Sequence, residues 1–167
     1  MRDHQITYFE NSRRATQAQR HYAVANPLGF ANYSKDEWGL TACDGPGRVV
    51  DGVRFEGYSA RGAPGGFDDG TIAPSAAISS MPFTPEESLA AAKHLYSSYG
   101  RKLWTNEGFR DAYNLKANWW DPDVIGIDQG PIVLMVENYR TGSVWRRMMR
   151  SPVLRRGLER AGFTELP

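Results

Sequence analysis

Asp128-Gln-Gly-Pro-Ile-Val-Leu-Met-Val-Glu-Asn-Tyr-Arg-Thr-Gly142 places an acidic residue at the mouth of an apolar run. Ile132, Met135, Val136 and Tyr139 recur at i, i+3, i+4 and i+7, the spacing that turns one stripe of an α-helix toward a core. Asp128 is a good N-cap residue, and the positive end of the helix dipole favours its carboxylate. The same helix carries a second carboxylate, Glu137, and a cation, Arg140, before the turn at Thr141-Gly142. A carboxylate on a rigid helix mouth can act as a general base or simply cap the helix. Residue type alone leaves both open.

Working outward, the chain reads as helices joined by two long loops. Asn11 or Ser12 is expected to cap a helix running to about Ala25, where Asn26-Pro27 stops it. Its Ala15, Ala18, Tyr22 and Ala25 form a small-residue stripe suited to close helix packing. Trp38 to Cys43 is expected to be a short helical turn ending at Asp44-Gly45-Pro46. Glycine and turn pairs fill the stretch from Gly45 to Gly70, where Val49, Val53 and Phe55 are expected to form a small hairpin. Ala73 to Met81 reads as a small-residue helix ended by Pro82. Thr84-Pro-Glu-Glu87 reads as a capping box with proline at the first helical position, opening a helix to about Tyr99 that Gly100 closes. Leu103 to Trp120 reads as irregular, with a short helix near Phe109 to Tyr113. Ser151-Pro152 opens a last helix to about Gly162.

Charge and composition exclude several classes. The 167 residues hold 20 basic and 19 acidic side chains, for a net charge of +1, so no basic stripe advertises a nucleic-acid partner. Arg146, Arg147, Arg150, Arg155, Arg156 and Arg160 alternate with apolar residues and read as a solvated helix face. Hydrophobic residues at 41% fit a globular chain, and no run is long enough to span a membrane. No signal peptide precedes Tyr8, and the compartment stays open. A single cysteine excludes an internal disulfide. His4, His21 and His94 are scattered without acidic partners at ligand spacing, so neither zinc nor any other metal is expected. There is no phosphate-binding glycine loop and no Gly-x-Ser-x-Gly elbow, and Cys43 lacks a nucleophile signature; no cofactor is expected.

Asp44, Asp69, Asp121 and Asp128 stand at expected helix ends or turns, where side chains can converge on one face of a helical array. Each also suits a turn for ordinary conformational reasons. Five tryptophans (Trp38, Trp104, Trp119, Trp120 and Trp145) accompany them. Flat rings beside carboxylates suit sugars, whose C–H faces stack on aromatics while their hydroxyls take polar partners. Core packing is the other use for such rings.

Five stretches appear together: Tyr8-Phe-Glu-Asn-Ser-Arg-Arg-Ala-Thr16, Trp38-Gly-Leu-Thr-Ala-Cys-Asp-Gly-Pro46, Asp69-Gly-Thr-Ile-Ala-Pro-Ser-Ala-Ala77, Met81-Pro-Phe-Thr-Pro-Glu86 and the Asp128 helix. From about Tyr8 to Phe163 the chain thus resembles the glycoamylase-like domain of bacterial endo-β-1,2-glucanases and cyclic β-1,2-glucan synthases. Cys43 stands where that family is expected to carry serine.

The resemblance implies an all-α fold, an (α/α)-six toroid of twelve helices. At about 11 residues per helix plus connections, this chain has room for roughly half of them. The expectation is therefore a partial toroid with long Gly-rich loops. It forms a single unit over 1–167 that resembles the C-terminal half of a larger catalytic domain. The implied activity is glycoside hydrolysis of β-linked glucan, β-1,2-glucan first, by two carboxylic acids. Asp128 is the expected general base. The acid is expected outside this chain, with Glu10 the internal fallback. Asp44, Asp69, Trp38, Trp120, Glu137 and Arg140 are the expected substrate-binding residues, and Asp128 and Glu10 should face one cleft with Asp44 or Asp69. The expected partners are a glucan or oligosaccharide, and a missing N-terminal half or a second copy against uncovered helix faces. The alternative is a non-catalytic carbohydrate-binding or inert half-domain. Retaining and inverting chemistry are not distinguished.

Overall fold

The computed structural model describes residues 2–3 and 6–164, so His4 lies outside the described residues. Strand β1 (Arg2–Asp3) pairs antiparallel with β2 (Ile6–Thr7), which runs directly into helix α1 (Tyr8–Ala25). The helix therefore starts earlier than the expected caps Asn11 and Ser12: the ladder ends at Thr7, whose extended backbone takes the cap position. Asn26 ends α1 at φ 44°, and its side chain clasps Phe30, accepting from the Phe30 N–H at 2.8 Å and donating to its carbonyl at 2.7 Å. An asparagine tolerates this left-handed conformation better than most residues, which is why the helix stops here.

The core forms around α2 (Pro74–Ile78), a short helix packed against both α3 (Pro85–Leu103) and α4 (Gly126–Thr141). Ala77, Ile78, Ala91, Leu95 and Leu103 meet there with Trp38, Leu40, Ile72, Phe109 and Tyr113. Helix α3 runs through Gly100 rather than ending at it. The stripe Ala91, Leu95, Tyr99 and Leu103 continues at four-residue spacing, and burying Leu103 outweighs the weak helix preference of one glycine. The capping box at Thr84 does not form as expected. Thr84 holds the cap position, but its hydroxyl turns to the Ser80 carbonyl and the Ser88 hydroxyl instead of a backbone N–H of α3.

The connecting loops are more ordered than the sequence suggested. Besides the expected hairpin of β4 (Val49–Val50) and β5 (Val53–Arg54), β3 (Ala42–Cys43) pairs with β6 (Ser59–Ala60). Strand β7 (Trp104–Thr105) pairs with β8 (Gly108–Phe109), and β9 (Tyr113–Asn114) pairs with β10 (Trp119–Trp120). The expected helices at Trp38 to Cys43 and Phe109 to Tyr113 are both absent. Trp38 and Leu40 are buried around an extended Gly39, whose carbonyl accepts from the Ala73 N–H, while Tyr113 exchanges two backbone bonds of 3.0 Å with Ile72. Buried backbone must find partners, and in these long loops short ladders supply them. Gly39 sits at φ 137°, and a Cβ there would lie 2.7 Å from the Ala73 carbonyl oxygen.

Gly142, at φ 66°, ends α4 and leads into α5 (Ser143–Met149) and α6 (Pro152–Arg160). Ser151 caps α6 by accepting from the Leu154 N–H, as expected. Strand β11 (Phe163–Thr164) then joins the outer edge of β1. The fold is mostly helical, with a few small antiparallel strand pairs. Neither expected apolar stripe is fully covered. On α1, Ala15, Ala18 and Ala25 are exposed, and on α4, Ile132, Met135 and Val136 are half-buried while Tyr139 is exposed. Among the described residues no helix is long and apolar enough to cross a membrane.

Candidate active site

Helix α4 begins at Gly126 behind Ile125, so Asp128 lies inside its first turn rather than capping it. The Asp128 N–H donates to the Ile125 carbonyl at 3.1 Å, and its side chain is only 8% exposed. That side chain enters a pocket of about 430 Å³ lined by Asp44, Asp111 and Asp128, with Cys43, Tyr58 and Ile127 among the remaining wall residues. Asp44 follows β3, and Asp111 follows β8, so three distant segments bring three carboxylates together.

Asp111 organises the group. It is 2% exposed, its Oδ2 accepts from the Asp44 N–H at 2.8 Å, and it lines the same pocket as Asp128. Asp111 Oδ1 and Asp128 Oδ2 are buried, and neither has a hydrogen-bond partner among the described residues. Burial pushes Asp111 up to about 7; the Asp44 N–H opposes this, while the neighbouring Asp128 and Asp44 carboxylates add to it. Next to them, burial pushes Asp121 up to about 6, against the Asp123 N–H and with help from the charges of Asp111, Asp44 and Asp123. A buried carboxyl beside other carboxylates ionises less readily, so Asp111 can hold a proton near neutral pH.

The other expected site residues lie elsewhere. Asp69 is gripped by the fully buried Arg61, Nε to Oδ1 at 2.9 Å and Nη2 to Oδ2 at 3.0 Å, and also accepts from the Thr71 N–H. Burial raises its carboxyl, but the bonds from Arg61 and Thr71 outweigh this and hold it below the usual range. The Arg61 guanidinium also donates to the Cys43 carbonyl at 2.8 Å, so Asp69 acts as an anchor for the pocket wall. Glu10 does not share the pocket with Asp128. It sits on α1 clamped by Arg13 at 2.7 Å and Arg14 at 2.8 Å, and their hydrogen bonds pull its carboxyl to about 2. A stretch rich in arginine just after a glutamate at i+3 and i+4 made this pairing readable as a local clamp.

Trp38 is 1% exposed and belongs to the core, so its ring offers no sugar-stacking face. Trp120 stacks on Tyr113 with ring centroids 5.2 Å apart and 7° between planes. It lines a separate cavity of about 910 Å³ with Tyr96, Tyr99 and Trp104. Glu137 accepts from the Thr141 hydroxyl at 2.8 Å and lies 3.8 Å from Arg140, away from the Asp128 pocket lining. The sequence reading missed Asp111. Its signal was an acid between the aromatics Phe109 and Tyr113, hidden by reading that stretch as a helix. Burial pushes the Cys43 thiol up to about 12 despite the nearby Arg61 cation, which leaves it a wall group and no nucleophile.

Comparisons with known proteins match this architecture. A family model, Glycoamylase, described as "Putative glucoamylase", matches residues 1–152. The exo β-1,2-glucooligosaccharide sophorohydrolase (non-reducing end) of Parabacteroides distasonis is 36% identical over 158 residues, which are 95% of this chain and 21% of that protein. The endo-β-1,2-glucanase of Chitinophaga pinensis, solved with sophorotriose and glucose, superposes with a TM-score of 0.89 at 36% identity, over 98% of this chain and 37% of that one. A β-1,2-glucanase structure from Parabacteroides distasonis gives 0.84 at 36% identity, over 96% of this chain and 22% of that one. The chain thus spans about a fifth of the curated relative and at most about two fifths of these solved structures.

Proposed function

The chain belongs to the glycoamylase-like family, and from that premise we propose that it carries part of the catalytic domain of a glycoside hydrolase acting on β-linked glucan, β-1,2-glucan first. In this reading its helices form part of an (α/α)-six toroid. The observation that supports the reading most directly is the pocket where Asp44, Asp111 and Asp128 converge, with no ion pair on any of the three among the described residues. Glycoside hydrolysis needs one carboxylic acid to protonate the leaving oxygen and a second to activate water or attack the sugar. Asp128 is the proposed general base, held at the mouth of α4 where the helix dipole favours its anionic form. Asp111, which can hold a proton near neutral pH, holds the Asp44 main chain beside Asp128 in the pocket wall.

Asp111 and Asp128 do not serve as the acid–base couple themselves. They are neighbours in one pocket, with Asp128 helping to raise Asp111, whereas the two carboxyls of a glycosidase stand about 5–9.5 Å apart on either side of the bond. Glu10 is equally unsuited to be the acid, because its two arginines keep it anionic at neutral pH. The acid is therefore proposed to come from sequence outside this chain. A second reading, a carbohydrate-binding domain without catalysis, is favoured by the aromatic cavity of Tyr96, Trp104 and Trp120.

The test joins this chain to the part of the Chitinophaga pinensis enzyme that it does not cover, and assays reducing-sugar release from linear β-1,2-glucan. The joined protein is expected to turn over, and Asp128→Asn to lose about 10²–10⁴-fold in rate with glucan retention in gels unchanged. Full activity in the Asp128→Asn protein removes Asp128 from the mechanism. A folded joined protein that retains glucan but never cleaves it supports the binding reading.

A further inference from the structure

A second carboxylate group shares Asp44 with the pocket. Asp44 comes from the end of β3, and Asp121 and Asp123 follow β10. Each offers one oxygen, and the three oxygens lie within 4.8 Å of one another. We propose that these three aspartates bind a hard divalent cation, calcium by size and charge. No metal was expected from the scattered histidines and the single cysteine, and aspartates distant in sequence carry no ligand spacing.

Acidic clusters are common on protein surfaces. What distinguishes this one is Asp121. Its side chain is 2% exposed, its carboxylate already accepts the Asp123 N–H through Oδ1 at 2.8 Å, and Oδ2 is buried with no partner among the described residues. A buried carboxylate oxygen without a donor is costly, and a cation satisfies it directly. The neighbouring protein cations are engaged elsewhere. Arg61 is bound to Asp69. Arg110 donates Nη1 to the main-chain carbonyls of Asp121 and Pro122, leaving the side chains free. Among the described residues no ion pair reaches Asp44, Asp121 or Asp123.

The donor set selects the metal. Three carboxylates with no imidazole or accessible thiol favour oxygen-loving cations over zinc or copper. Calcium accepts six to eight oxygens with flexible geometry, so waters can complete the shell on the side of the exposed Asp123. Magnesium demands a regular octahedron and suits this loop arrangement less. A bound ion would tie the end of β3 to the end of β10. Those segments carry Asp44 into the pocket and brace Asp111, whose N–H donates to the Asp123 carbonyl at 3.1 Å.

The experiment uses the whole 167-residue chain, stripped with EDTA and then titrated with terbium and with calcium chloride. Trp119 and Trp120, directly before Asp121, should sensitise terbium emission, and calcium should displace it with a Kd of about 10⁻⁵–10⁻³ M. Saturating calcium should raise the melting temperature by several degrees, by mass action on the folded state. Asp123→Asn should weaken calcium at least about ten-fold while leaving the melting temperature in EDTA unchanged, because the bond to Asp121 comes from its main chain. Asp121→Asn should abolish binding, and if it does not fold, Asp44→Asn takes its place in the test. Melting that ignores calcium together with absent sensitised emission overturns the proposal. So does an Asp123→Asn protein that binds as tightly as the wild type.

Discussion

The molecule buries carboxylates in two ways. Asp69 and Glu37 are fully partnered: Asp69 by the Arg61 fork, Glu37 by the Tyr113 and Tyr99 hydroxyls at 2.7 and 3.1 Å and by His94 at 2.8 Å. Asp111, Asp121 and Asp128 each keep one buried oxygen with no donor. The first set ties loops to helices and fixes the wall of the pocket. The second set stores electrostatic tension in the pocket itself, with Asp111 and Asp121 raised toward neutral pH. Folding alone would remove such tension by placing an arginine or a serine nearby. Its persistence around the pocket, beside carboxylates that are fully neutralised, marks Asp111, Asp121 and Asp128 as candidates for chemistry.

The sharpest way to break the comparison is to remove one partner from each set. Arg61→Met leaves Asp69 buried and uncompensated, and should destabilise the fold by about 3–5 kcal/mol in urea titrations. Asp111→Asn removes a repelling charge but keeps an oxygen for the Asp44 N–H, and should leave stability within about 1 kcal/mol of wild type or raise it. If both variants lose stability alike, the two sets are not different in kind.

Tyr113→Phe tests the partnered set at a single bond. The hydroxyl donates to a buried carboxylate, so its loss should cost about 1.5–3 kcal/mol, with the aromatic stack on Trp120 intact. An unchanged midpoint would mean that Glu37 is held by its other two contacts.

Acid–base linkage sharpens the unpartnered set. The folded Asp111 titrates at about 7, above the ordinary carboxylate value of 3.8, so the folded state binds the extra proton between these limits. Its contribution is therefore most favourable below about pH 4 and is lost as pH rises through about 7. In EDTA, wild-type stability should decline across that window relative to Asp111→Asn. Parallel pH profiles would show that Asp111 is not raised.

Much of the helical frame was readable from sequence. The α4 helix, the Ser151 cap and the Val49/Val53 hairpin rest on local periodicity and turn chemistry, which act over a few residues, while the family resemblance rests on the shared motifs. The loop ladders were not readable. Trp38 and Leu40 alternate like a strand, but only the pairing of Gly39 with Ala73 and the closeness forced on Gly39 make them extended. Asp128 was singled out because it sits at a helix mouth. Asp111 was not, because its importance comes from Asp44 and Asp128, 67 residues before and 17 after it, which only the folded chain assembles. Glu10 misled for the converse reason: its motif is sharp, but its partners are Arg13 and Arg14 on its own helix.

The smallest expected effect concerns Glu10, the exposed counterpart of the partnered set. Arg13 and Arg14 pull its carboxyl from 4.5 to about 2 in the folded state. A depressed folded value means that the unfolded chain binds the proton first, so the clamp contributes above about pH 4.5 and fades as pH falls toward 2. The pair is solvent-exposed, so water and salt screen it and the contribution is small. Comparing wild type with Glu10→Gln by thermal melting at several pH values should reveal a slight advantage for wild type at pH 7. That advantage should shrink below pH 4.5 and weaken further in about 1 M salt. An advantage that grows on acidification would show that Glu10 is raised in the folded state, and would return it to consideration as a proton donor.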